Sequence, residues 1–195
     1  LIILFFCQLI SSTGQLVVVT LGGIIGSSLT DSQSIATLPV SLMVVVTALT
    51  AIPATMLMRR IGRKYGSAIA SLSAAIAVLL AAYAIKTQSF ILFALSAAMF
   101  GINAAFSQQY RYAAAESVNQ EFVSRSISLI LLGAIGGAML GPELVTRGQF
   151  WISGIQYAGT LISLALLFVI QAILLLSLGD FSITEEGNDK TSGRK

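Results

Sequence analysis

The sequence contains no histidine. That removes the commonest general base and the commonest metal ligand. Its one cysteine, Cys7, can form no disulfide within the chain and no cysteine metal site. Set in an apolar run, it reads as a small hydrophobic side chain. Charge is scarce too: Asp, Glu, Lys and Arg make up 10% of the 195 residues, where a soluble domain carries about a quarter. So few charged groups cannot cover a water-facing surface. The net charge of +3 is small, and the cations do not interleave with aromatics, so nucleic acid is not an expected partner. Paired carboxylates within the apolar runs, metal-ligand spacings and a Gly-x-Ser-x-Gly turn are also missing. No enzyme chemistry, cofactor or metal is expected from such a chain.

What is present is hydrophobic: 56% of the residues. A membrane-crossing helix needs about 20 mostly apolar residues. Six stretches meet that, at 1–28, 36–58, 66–85, 90–112, 124–146 and 151–178. The breaks between them hold the charges and turn formers, as in "TDSQS", "RRIGRK", "KTQS", "AESVNQEFVSR" and "TRGQ". The expected fold is an all-α bundle of six transmembrane helices with the lipid bilayer as its solvent. Residues 179–195 turn polar and read as a linker. The chain opens at Leu1 inside an apolar run, so we expect a fragment whose start is missing rather than a signal peptide.

Orientation follows from Lys and Arg in the short loops. With the chain beginning in the cytoplasm, Arg59, Arg60, Arg63, Lys64, Arg111, Arg125, Lys190, Arg194 and Lys195 lie inside. Only Lys86 and Arg147 lie outside. Both ends of the segment are therefore expected on the cytoplasmic side.

The basic cluster also has a pattern. In "TMLMRRIGRK", Arg60, Gly62, Arg63 and Lys64 resemble the signature loop between the second and third spans of the major facilitator superfamily, with Thr55 and Arg59 where that family usually has Gly and Asp. In "LLGAIGGAMLGPEL", Gly137, Gly141 and Pro142 resemble the Gly-xxx-Gly-Pro core found in its antiporter branches, without the glycines that usually follow. An Arg common in the fourth span would fall at Ala97 and is missing, which speaks against a drug/proton antiporter. The chain as a whole is similar to uncharacterised bacterial permeases of this superfamily. The resemblance implies the amino-terminal six helices of a twelve-helix bundle, a three-plus-three inverted repeat, and a secondary transporter in a bacterial inner membrane. It also implies partners: a small-molecule solute, a proton or other coupling ion, and a missing carboxy-terminal six-helix half.

The residues themselves suggest roles. Gly62 permits a tight turn, and Arg60, Arg63 and Lys64 can face helix C-termini or lipid phosphates. With Glu116 and Arg125 they form a candidate charge cluster that gates the inner mouth, or simply a solvated, positive-inside anchor. Gly133, Gly137 and Gly141 recur every four residues and make a smooth stripe for close helix approach. Pro142 removes a backbone donor and is expected to kink that helix. Gly22 and Gly26 form a shorter pair in the first span.

Polar groups within spans tend to face inward. Gln8, Ser12 and Gln15 share a face of the first span, and Asn103, Ser107 and Arg111 a face of the fourth. Both stripes are candidates for a solute cavity, or for hydrogen bonds between helices; Arg111, near the inner interface, equally suits snorkelling to lipid phosphate. Glu143 is the sole acid inside a span, four residues before Arg147, and is either a coupling acid or half of a structural pair. The alternative to a transporter half is a complete six-helix scaffold, or a half-size transporter subunit acting as an oligomer.

Overall fold

In the computed structural model, residues 1–30, 35–116, 118, 122–149, 151 and 157–177 are described, with Glu116 represented by its backbone alone. The Asp31 loop, Glu121 and the 179–195 linker lie outside the described residues. Among the described residues, seven helices make six candidate spans: α1 (Ile2–Leu29), α2 (Leu38–Ile61), α3 (Arg63–Lys86), α4 (Phe90–Ser107) with α5 (Tyr110–Glu116), α6 (Val123–Gly148) and α7 (Ala158–Leu176). No strand occurs among the described residues. All six spans are long and apolar enough to cross a bilayer.

The basic stretch is a single-residue joint rather than a loop. Arg59 and Arg60 form the last turn of α2, where cations face the unsatisfied carbonyls favourably. Helix α3 begins at Arg63. Between them Gly62 has φ 86° and ψ 149°, a conformation open to glycine almost alone. A Cβ there would touch nothing, so the backbone angle and not space requires glycine. Span four divides at Gln108 and Gln109, and the Gln109 amide donates to the Thr55 hydroxyl of α2 at 3.1 Å. Helix α6 runs through Pro142 to Gly148 without interruption.

Packing pairs span one with span five, span two with span four, and span three with span six; spans three and four also meet broadly. Exchanging spans one, two and three for four, five and six maps the first two pairings onto each other and the third onto itself. That is the relation an inverted three-plus-three repeat produces. In lipid, close packing of small residues rather than apolar burial holds helices together. A Cβ on Gly137 would run into the Leu9 carbonyl oxygen of α1 and approach the Ser12 Cβ to 2.8 Å. A Cβ on Gly101 of α4 would stand 2.5 Å from the Met43 carbonyl oxygen of α2. Gly133 and Gly141 also lie on α1, against Phe5 and Leu16, so the stripe expected from the sequence is a helix contact. Gly22 and Gly26 instead receive the start of span two, at Val40 and Ala36. The core between these contacts mixes aliphatic, alanine and phenylalanine side chains, with Phe100 and Phe168 edge to face at 5.5 Å beside Gly14.

Candidate functional site

The polar stripes of spans one and four meet. The Gln15 amide of α1 donates to the Ser107 hydroxyl of α4 at 3.0 Å, and Ser107 donates to the Ala104 carbonyl. Along α1, the Gln8 amide donates to Ser12 at 3.1 Å. Gln8 and Gln15 are half-buried, so this side of α1 remains partly open. Gln8 Oε1 is buried without a partner. The stripe thus presents amides and hydroxyls and no charged group.

The other members of the fourth-span stripe separate. Asn103 is fully enclosed, and neither its amide nitrogen nor its oxygen has a partner. Such a group is costly unless something polar reaches it. Arg111 is the second residue of α5, just beyond the division, and is exposed. Their spacing gives the three a common helix face, but their surroundings differ.

At the basic end, Arg60 is exposed, while Arg63 and Lys64 are half-buried beside Gln109 and Tyr110. The cavity they line holds only about 10 Å³, room for one water. Lys64 Nζ stands 5.9 Å from the centre of the Tyr65 ring, and the Arg125 guanidinium 5.9 Å from that of Phe122. The side chain of Glu116, the proposed acid of this cluster, lies outside the described residues.

Glu143 pairs with Arg147 one turn on, and both side chains are exposed, at 54% and 73%. Neither touches the Gln8–Ser12–Gln15 side. At 3.6 residues per turn that stripe occupies one flank of α1, whereas the Glu143–Arg147 pair shares a groove with Leu9 and Thr13 on the other.

A second polar cluster escaped the reading of the sequence. Gln171 of α7 is fully buried and donates to the Ser11 hydroxyl at 3.0 Å and to the Tyr110 hydroxyl at 2.9 Å. Spans one, four and six are thereby tied at one point. The signal was available: Gln171 interrupts "LLFVIQAILLL", and an amide within an apolar run must find partners.

The family profile of the Major Facilitator Superfamily matches residues 2–192. The riboflavin transporter RfnT of Brucella anthropi is 31% identical over 188 residues, 96% of this chain and 47% of that protein. The uncharacterized MFS-type transporter YddS of Bacillus subtilis is 29% identical over 177 residues, 89% of this chain and 41% of that protein. The chain spans about half the length of these curated relatives. No solved structure matches. The chain belongs to the Major Facilitator Superfamily, and its six apolar helices are those of an integral, multi-pass membrane protein.

Proposed function

We propose that this member of the superfamily forms the amino-terminal half of a secondary transporter that moves a small, uncharged solute by alternating access. One observation carries the reading: the Gln15–Ser107 hydrogen bond brings the polar stripes of spans one and four together on a side of α1 left partly open. A second six-helix bundle would close that side and supply the rest of the cavity. The span-one stripe and its Ser107 partner bear amides and hydroxyls only, which suits a neutral solute rich in donors and acceptors. Riboflavin, named as the substrate of the Brucella relative, has an imide, ring carbonyls and a polyol chain, so it is the first solute to test.

In this reading the basic end faces the cytoplasm of a bacterial cell, because nine of the eleven Lys and Arg then lie inside. Arg60, Arg63, Lys64, Glu116 and Arg125 would hold the inner mouth closed and part on opening. Coupling to a proton or another ion would use an acid other than Glu143, which stands on the far flank of α1.

Uptake of labelled riboflavin by an auxotroph expressing the natural polypeptide tests the reading. Gln15→Leu should lower uptake roughly tenfold, the consequence of losing one hydrogen bond of about 1.4 kcal/mol. Uptake indifferent to Gln15→Leu and Ser107→Ala would sink the cavity assignment. The open faces of spans two and five support one other reading, a dimer of half-size chains. A natural polypeptide near 20.5 kDa, rather than near twice that mass, would favour the dimer.

A further inference from the structure

Span one has a second working flank. Away from Gln8, Ser12 and Gln15, and beyond the glycine stripe of α6, lies a groove of about 310 Å³ between spans one, five and six. That is the size of a small-molecule site, which spans roughly 300–1,000 Å³. Its inner part is walled by Leu9, Leu140 and Leu167. Leu167 lies nine residues into α7, about 14 Å from that helix's start and near its middle. At the other end of the groove stand Glu143, Arg147 and Trp151, where α6 finishes. Glu143 is twenty residues into α6, about 30 Å from Val123, which is one bilayer core away from the basic end.

The groove is therefore apolar at mid-membrane and carries an ion pair and an indole at the interface opposite the basic cluster. At that level the paired carboxylate and guanidinium face water and lipid headgroups rather than hydrocarbon. A headgroup with both charges meets them together: phosphate on Arg147, ammonium on Glu143. Trp suits the same level, since its ring is amphipathic and settles at headgroups.

We infer that this groove binds a zwitterionic, amine-bearing glycerophospholipid of the phosphatidylethanolamine type. One acyl chain lies along Leu9, Leu140 and Leu167, and the headgroup is held by the Glu143–Arg147 pair. An anionic lipid satisfies Arg147 and leaves Glu143 facing like charge. The transported solute does not fit here, because the groove lies on the flank of span one away from the polar stripe.

The test is native mass spectrometry of the natural polypeptide, loaded in detergent with phosphatidylethanolamine or with phosphatidylglycerol. Phosphatidylethanolamine should be retained, one per chain, about tenfold more than phosphatidylglycerol, a factor equivalent to about 1.4 kcal/mol. Glu143→Gln and Arg147→Gln should each abolish that preference. Leu140→Trp, which fills the groove, should expel the lipid, while Leu166→Trp on the exposed face of α7 should not. Melting temperatures identify any variant that fails to fold, and Leu167→Trp then fills the groove from its other wall. Equal retention of the two lipids would overturn the headgroup assignment. Retention unaffected by both groove-filling variants would overturn the site. So would cross-linking of a photoreactive group at Leu140 to protein instead of lipid, since a second copy or another part of the natural chain would then be the occupant.

Discussion

Spans two and five differ from the other four. In the most apolar stretch of each helix, 11% of residues are buried in span two and 22% in span five, against 50–61% in spans one, three, four and six. Hydropathy does not separate them, for all six qualify equally as membrane helices. What separates them is the number of neighbours. Span two is held mainly by span four, at Gly101, and span five mainly by span one, at Gly137. Their free faces carry Leu49, Ile52 and Met56 in one and Ile135 and Met139 in the other. In a bilayer, large apolar side chains at such faces are stable against lipid and equally against another helix. The difference teaches that these two helices are clamped from one side by backbone-to-backbone contact and leave the other side open.

The clamp is the place to break the comparison hardest. Gly137→Val puts side-chain carbons into the Leu9 backbone. We expect at least about 3 kcal/mol of destabilisation or loss of the folded protein, at the upper end of overpacking effects, read as a fall in melting temperature in detergent. Gly136, one residue away, has nothing nearer a Cβ than Leu9 Cδ1 at 3.6 Å. The free faces come next. If the proposed second half packs on span two, Leu49→Trp and Ile52→Trp in the natural polypeptide should destabilise by about 1–3 kcal/mol. Leu166→Trp on span six and Leu79→Trp on span three, at exposed positions outside those two faces, should leave the melting temperature unchanged. Equal effects on the two sets would erase the distinction between the spans.

Gln171→Leu ranks below these. It leaves the Ser11 and Tyr110 hydroxyls without their donor, and should cost about 1–2 kcal/mol, between the averages for membrane and buried hydrogen bonds. Tyr110→Phe in the Gln171→Leu background should then add little, because the contact is already gone. Gly62→Ala forces a side chain onto φ 86°, and about 1–2 kcal/mol of strain is expected. Gly136→Ala closes the series with the smallest effect, a gain of about 0.5–1 kcal/mol from lower backbone freedom in the unfolded chain.

Much of the fold was legible because lipid imposes a simple rule: a long apolar run becomes a helix. The glycine stripe was legible for a related reason, since small residues four apart have few uses other than close approach. The joint at Gly62 was legible only in part. Four cations in six residues look like a loop, yet Arg59 and Arg60 extend α2 because a helix C-terminus welcomes positive charge. The division at Gln108 and Gln109 carries no Gly or Pro and gave no warning. Of the candidate site, periodicity put Gln15 and Ser107 on the polar faces of spans one and four. It could not tell that Asn103, on the same stripe, would be sealed inside the half, because facing depends on which neighbours pack and periodicity knows only its own helix. Gln171 shows the converse: a lone amide in an apolar run predicts a partner without naming it.

The central claim is that the Gln8–Ser12–Gln15 flank of span one lines a water-filled solute path. Cys7 is completely buried, and labelling of the unsubstituted natural polypeptide sets the background for a thiol reagent. A membrane-impermeant thiol reagent applied to the natural polypeptide bearing Gln15→Cys, in vesicles, measures the claim directly. The account predicts labelling that riboflavin slows. Absence of labelling, with Tyr112→Cys at the exposed basic end reacting normally, would contradict it.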